Sequence, residues 1–144
     1  MKKVSVLPLF DRLVDEDADA STEVEARRFI SFDELKESIT KDLTLLLNTK
    51  ISPFWVEYSK TMKIPFSYGI NSTAPSSSET VFEIQELENR IRRVISNFEP
   101  RLKNIHIQIL TMGVTPGKSD VQIDADVAAG NFRVPLTFSI VMEM

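Results

Sequence analysis

The chain has 144 residues, with 17 basic and 21 acidic side chains, a net charge of −4 and no cysteine. This length suits one domain with a substantial buried core, whereas the lack of cysteine excludes a disulfide framework, a thiolate nucleophile and a cysteine-based zinc site. The charge balance argues against the basic face that nucleic-acid binding requires, and no apolar stretch reaches the roughly 20 residues of a membrane-spanning helix.

Residues 1–28 form an N-terminal extension ahead of the main domain. The extension opens with lysines and apolar residues, but Pro8 interrupts the apolar run and Asp11 follows it. This pattern differs from a signal peptide, so we expect a cytoplasmic protein. A short helical segment is predicted within residues 4–14. Residues 15–27, of which residues 15–25 hold six acids and no base, are typical of a polar linker.

The first strong helix signal begins at Ser31. Ser31 and Glu34 have the spacing of a capping box, in which each side chain bonds to a backbone N–H of the other residue. Asn48 is the predicted C-cap. The apolar residues between them recur at helical spacing and predict one buried stripe: Leu35, Ile39, Leu43, Leu46 and Leu47.

A proline-interrupted segment leads to a second helix. Residues 51–70 carry many aromatic side chains, and we expect much of this segment to pack on the body of the protein. The second helix is predicted from about Thr80 to Phe98, with Thr80 and Glu83 as another capping box. Its buried face is predicted to consist of Ile84, Leu87, Ile91, Val94, Ile95 and Phe98.

Three runs with period-two alternation close the chain, and each predicts a strand with one dry face. The predicted buried residues are Ile105, Ile107 and Ile109, then Val121, Ile123, Ala125 and Val127, then Val134, Leu136, Phe138, Ile140 and Met142. The sequence therefore predicts an α+β domain over residues 29–144, in which two main helices cover one face of a three-stranded antiparallel meander.

The last predicted strand is expected to lie at an edge of the sheet. A three-stranded sheet has two edges, and an exposed edge presents unpaired backbone N–H and C=O groups. Such an edge is either an aggregation hazard or a docking site for a strand of another chain.

The sequence contains residues of the types used in catalysis and metal binding, but no arrangement of them that indicates a catalytic site. His106, the only histidine, lies on the polar face of a predicted strand with no nucleophile or orienting group identifiable beside it. Asp120, Asp124 and Asp126 share a strand face and could bind a hard cation. A solvent-exposed face that discourages aggregation is the favoured interpretation. The sequence therefore predicts a protein that is not an enzyme and that holds no metal or cofactor.

An unusual joint separates the second helix from the first strand of the meander. Pro100 lacks an N–H and ends the helix, and it restricts Glu99 to extended conformations. Glu99 and Arg101 then lie at a rigid corner. Two interpretations of these charges remain. They form a local salt bridge, or they are a preordered pair that binds carboxylate, carbonyl or N–H groups of a partner.

Four motifs in chain order carry a resemblance to a known family: "LFDRL" from residue 9, "LKESITKDLTLLLNTK" from residue 35, "SYGI" from residue 67 and "FEPRL" from residue 98. In this order they resemble the TssE family, which supplies a small baseplate subunit to the type VI secretion system. That family belongs to the wider group of phage-tail baseplate wedge proteins, once labelled lysozyme-like.

The resemblance implies a structural, non-catalytic role in a baseplate at the cytoplasmic face of the inner membrane. It implies that Glu99, Pro100 and Arg101 dock on the helical core bundle of a wedge made with TssF and TssG, with TssK as a further candidate partner. It also implies that the sheet accepts strands of the contractile-sheath subunits TssB and TssC and starts sheath polymerisation. A second candidate for partner binding is the N-terminal motif of Leu9, Phe10, Asp11, Arg12 and Leu13.

Three alternatives accompany this hypothesis. The chain could be the equivalent wedge protein of a phage tail or another contractile injection particle. The older label keeps open a cell-wall-cleaving lysozyme, and the predicted sheet edge keeps open a free-standing interaction module. On the leading hypothesis, Arg101→Ala is expected to abolish wedge docking while the domain stays folded.

Overall fold

Two amphipathic helices precede a three-stranded sheet along the chain. The computed structural model describes residues 5–6, 29–52, 68–70, 81–112, 117–129 and 131–143. Within these ranges the elements are β1 (Ser5–Val6), β2 (Phe29–Ile30), α1 (Phe32–Asn48), α2 (Val81–Phe98), β3 (Leu102–Met112), β4 (Lys118–Ala129) and β5 (Phe132–Glu143). Neither of these two helices has the length and apolar character needed to cross a membrane.

The capping box predicted for α1 is confirmed. The Ser31 backbone N–H donates to Glu34 Oε2 at 2.7 Å, and the Glu34 N–H donates to Ser31 Oγ at 3.4 Å. The predicted C-cap is wrong, because the C-cap is Thr49, in extended conformation. Asn48 is the last helical residue, and its Nδ2 donates both to the Thr44 carbonyl of its own helix at 3.0 Å and to β5.

α2 ends where the proline predicts. Its last residue is Phe98, and the Glu99 N–H still donates to the Ile95 carbonyl at 2.8 Å. The chain then turns sharply, since the Leu102 N–H donates to the Glu99 carbonyl at 3.3 Å, and β3 begins. The predicted capping residue Thr80 lies outside the described residues.

The three-stranded sheet is an antiparallel meander in the order β3-β4-β5, which confirms the predicted α+β class. β4 and β5 pair without interruption from Lys118 opposite Glu143 to Ala129 opposite Phe132. β3 and β4 shift register twice, and Asn104 (φ 51°) lies within the first shift. Bulges of this kind bend and twist a strand. β3 is therefore the irregular edge strand of the sheet, and β5 is the regular edge strand.

The core lies between the helices and one face of the sheet, as the alternation predicts. All five predicted stripe residues of α1 are buried. The buried residues that face them from α2 and the sheet are Leu87, Ile91, Ile95, Leu102, Ile107, Val121, Ile123, Ala125, Val127, Phe138, Ile140 and Met142. Burial of this apolar surface is the main force that holds helices and sheet together.

The N-terminal and connecting segments add contacts that the sequence predicted only in part. β1 pairs antiparallel with β2, a short bridge that no pattern in the sequence indicates. Ile51 and Ile70, at the two ends of the aromatic segment, are buried. Residues 53–67 lie outside the described residues, so the packing of most of that segment stays a prediction. The predicted helical segment around Phe10 lies outside the described residues, and the division of the chain at residue 28 stays a prediction.

Candidate functional site

Three segments that are distant in sequence meet at the end of α2. Ser38 and Asp42 come from α1, Tyr68 precedes β3 by more than 30 residues, and Glu99 and Arg101 flank Pro100. We call the set of Ser38, Asp42, Tyr68, Glu99 and Arg101 the ionic corner. It brings together residues from three of the four motifs singled out in the sequence.

Arg101 and Glu99 form a two-point ion pair around the proline. Arg101 Nε donates to Glu99 Oε1 at 2.6 Å, and Arg101 Nη2 donates to Glu99 Oε2 at 2.6 Å. The Glu99 side chain is only 6% exposed, and that of Arg101 is 23% exposed. Parallel N–H···O bonds of this kind are the strongest form of arginine–carboxylate contact.

A second carboxylate reaches the same guanidinium from α1. Arg101 Nη2 donates to Asp42 Oδ2 at 2.5 Å, and Arg101 Nη1 donates to Ser38 Oγ at 3.3 Å. Burial alone would lower the pKa of Arg101, but the hydrogen bonds and charges of Glu99 and Asp42 outweigh it and raise the pKa above its ordinary value. Sequence reasoning missed Asp42; the only signal was its position four residues after Ser38, which places both on one side of α1.

Tyr68 belongs to the ionic corner because a short backbone pairing holds its segment at the C-terminal end of α1. The Ile70 N–H donates to the Thr49 carbonyl at 2.8 Å, and the Ile51 N–H donates to the Ile70 carbonyl at 3.2 Å. The Tyr68 ring packs edge-on against Phe98 with centroids 5.4 Å apart. Burial, followed by the charges of Asp42 and Glu99, raises the pKa of Tyr68 above its ordinary value.

The carboxylate-binding groups of Arg101 are therefore occupied within the chain. Glu99 has both oxygens on Arg101 and almost no exposed surface, so it does not present its carboxylate to partner N–H groups in this conformation. Asp42, whose side chain is 48% exposed, and Pro100, which is exposed, offer a partner more surface than Arg101, whose side chain is 23% exposed. Partner docking stays a prediction.

The regular edge of the sheet lies along β5. In the described part of the chain β5 pairs with β4 alone. Asn48 binds only its end: Asn48 Nδ2 donates to the Val141 carbonyl at 3.0 Å, and the Glu143 N–H donates to Asn48 Oδ1 at 2.8 Å. The opposite edge is bulged, and Glu88 of α2 accepts the Ile109 N–H of β3 at 3.2 Å. The β5 edge is thus the better docking site for a strand.

The carboxylates of Asp124 and Asp126 on the solvent face of the sheet accept hydrogen bonds from neighbouring side chains. Thr137 Oγ1 donates to Asp124 Oδ1 at 2.5 Å, and Gln122 Nε2 donates to Asp124 Oδ2 at 3.1 Å. Asp126 accepts from Asn104 Nδ2 at 2.7 Å. Among the residues that the structure describes, no three His, Asp or Glu side chains cluster as a metal site.

The hydrogen bonds from Thr137 and Gln122 hold the pKa of Asp124 below its ordinary value. We expect Thr137→Val to raise the Asp124 pKa, because the hydroxyl that stabilises the charged form is removed. An NMR titration of the Asp124 carboxyl carbon between pH 2 and pH 6 measures this. Thr40→Val on α1, whose hydroxyl donates to the Lys36 carbonyl of its own helix, is the matched control and is expected to leave the titration unchanged. A Thr137→Val curve that overlays the wild type would contradict the assignment.

The N-terminal motif of Leu9, Phe10, Asp11, Arg12 and Leu13 lies outside the described residues, so its role stays a prediction. His106 is exposed on β3 and faces Asp124 across the β3–β4 pair. This placement agrees with the surface role expected from the sequence.

Comparison with known proteins adds a family and a fold. The family model described as baseplate wedge protein gp25 matches residues 33–131, well over half of the chain. Among solved structures the chain is similar to a crystal structure of a Geobacter sulfurreducens protein provisionally called a tail lysozyme, with a TM-score of 0.54 and 15% identity over 80% of this chain and 97% of that chain. At this identity the likeness concerns the fold alone. A search of curated proteins found no match.

Proposed function

This chain belongs to the baseplate wedge protein gp25 family, and we propose that it is a structural baseplate subunit of a type VI secretion system. In this role it docks on the wedge core formed by TssF and TssG and connects the baseplate to the contractile sheath. The four sequence motifs that resemble TssE favour the secretion system over a phage tail or another contractile injection particle.

The observation that carries the proposal is the β5 edge. β5 is a regular 12-residue strand that pairs with one neighbour among the described residues. A strand from another chain can extend the sheet there, with backbone hydrogen bonds supplying affinity and alternate side chains supplying specificity. In the proposed function that strand comes from the sheath subunits TssB and TssC, and its addition starts sheath polymerisation.

The ionic corner is the proposed contact with the wedge core. The two-point pair of Glu99 and Arg101 fixes the turn at Pro100, and Asp42 presents a half-exposed carboxylate beside it. A rigid turn loses little conformational freedom on binding, and such preorganisation increases affinity. We propose that TssF and TssG pack against Pro100 and donate to Asp42, while Glu99 acts by holding Arg101 in place.

This assembly places the protein at the cytoplasmic face of the inner membrane, with TssK as a further baseplate contact. The proposed role is not catalytic. A glycosidase needs a carboxylic acid that faces its substrate, whereas both oxygens of Glu99, the one buried acid among the described residues, bind Arg101. A turbidity assay on purified cell walls tests this point, and clear lysis at low protein concentration would replace the proposal with an enzyme.

A proline in the β5 edge tests the proposed sheath contact. Ser139→Pro removes one N–H of the edge and places a ring against an incoming strand, whereas Ser139→Ala keeps the N–H and is the matched control. We expect Ser139→Pro to lower recovery of TssB and TssC with the tagged chain at least about tenfold, with recovery of TssF and TssG unchanged. Quantitative mass spectrometry of the purified complexes measures both.

Two results would count against the proposal. Equal recovery of TssB and TssC by Ser139→Pro and Ser139→Ala would exclude the β5 edge as the sheath contact. Tail proteins of a phage in place of all Tss subunits would move the chain to another contractile particle. Circular dichroism of both variants is needed, because loss of fold would remove every partner together.

A further inference from the structure

Asn48 makes contacts to β5 that the backbone of a neighbouring strand would make. Its carboxamide donates to the Val141 carbonyl at 3.0 Å and accepts the Glu143 N–H at 2.8 Å. A peptide group also offers one donor and one acceptor, and strands pair by this exchange. One side chain of α1 therefore satisfies the outward carbonyl of Val141 and the outward N–H of Glu143 near the end of the edge strand.

These bonds show which residues of β5 point their backbone groups away from β4. Backbone direction alternates along a strand, and the pairing of β4 with β5 has no register shift. The outward set therefore shares the parity of Val141 and Glu143 and also includes Arg133, Pro135, Thr137 and Ser139. Pro135 provides an independent check, because a proline in a strand is tolerated where its missing N–H would face solvent.

We propose that Asn48 determines the last residue of β5 with which an incoming strand can pair. The partner strand pairs with β5 from Arg133 to the N–H of Val141, and Asn48 retains the Val141 carbonyl and the Glu143 N–H. Pro135 is a second constraint on the register of the partner strand, because its carbonyl can accept a hydrogen bond from the partner but it has no N–H to donate. This inference rests on the proposed addition of a sheath strand to β5, and it assigns Asn48 a positioning role in that contact.

Residue-resolved hydrogen exchange of the full chain, with and without purified TssB and TssC, tests the proposal. In the wild type we expect the sheath pair to slow exchange about tenfold or more at Thr137, Ser139 and Val141, with no further change at Glu143. In the free Asn48→Ala variant we expect Glu143 to exchange about tenfold faster, and we expect the sheath pair to extend protection to Glu143.

Asn48→Asp is the matched variant, because it keeps an acceptor for the Glu143 N–H and loses the donor to the Val141 carbonyl. We expect Glu143 to stay protected in this variant. If sheath binding to the wild type increases protection at Glu143, the partner has displaced the Asn48 carboxamide. The proposed limit on strand pairing is then wrong, although strand addition to β5 is still supported. If binding leaves Thr137 and Ser139 unchanged, strand addition itself is wrong, and the proposed limit fails with it.

Discussion

Arg101→Ala is expected to lower the free energy of unfolding by about 3 kcal/mol, because it leaves a buried carboxylate without its cation. The Glu99 side chain is 6% exposed, and both its oxygens bind Arg101. We take the lower end of the range for broken buried pairs, because Arg101 itself is 23% exposed. Urea unfolding followed by circular dichroism measures the loss.

The matched control is Asp42→Asn. Asp42 bonds to the same guanidinium, but its side chain is 48% exposed, so water screens the pair and the expected cost is at most about 1 kcal/mol. A double-mutant cycle of Arg101→Ala with Glu99→Gln should give a coupling energy of about 2 kcal/mol. Equal losses for Arg101→Ala and Asp42→Asn would show that burial of Glu99 does not set the cost.

This expectation changes how the wedge contact should be tested. The sequence alone led us to expect that Arg101→Ala leaves the domain folded and removes only the partner. With Glu99 buried, a loss of TssF and TssG from Arg101→Ala would mix loss of stability with loss of contact. Asp42→Asn separates the two effects, because it changes an accessible group and is expected to leave the fold intact.

Gly69→Ala is expected to destabilise the protein by about 3 kcal/mol, from backbone strain and a lost hydrogen bond. Gly69 has φ 113°, which L residues with a side chain rarely adopt. A Cβ there would lie 2.3 Å from the Thr49 carbonyl oxygen, the same oxygen that accepts the Ile70 N–H. The variant must therefore open the pairing that holds Tyr68 in the ionic corner.

Thr49→Ser separates the two sources of the clash. The Thr49 methyl lies 3.1 Å from the position of the added Cβ, but the backbone carbonyl is nearer and cannot be trimmed by mutation. The double variant Gly69→Ala/Thr49→Ser is therefore expected to be as unstable as Gly69→Ala in thermal unfolding. Recovery to wild-type stability would mean that the side chain, and not the carbonyl, is the obstacle.

Local patterns in the sequence determined the elements and their buried faces. The α1 stripe, the alternating strands and the stop at Pro100 each depend on residues within a few positions of one another, and sterics and hydrogen bonding act over that range. The capping pair of Ser31 and Glu34 was predicted for the same reason. The motifs also indicated the family, which the match over residues 33–131 then showed.

Only the tertiary structure decided which side chains complete the site. Asp42 meets Arg101 across 59 positions, and Asn48 meets Glu143 across 95. No periodicity encodes such contacts, because they arise from how α1 packs against the turn at Pro100 and the end of β5. Asn48 shows the limit most clearly: locally it has the properties of a helix C-cap, but the β5 edge offers its carboxamide both an acceptor and a donor.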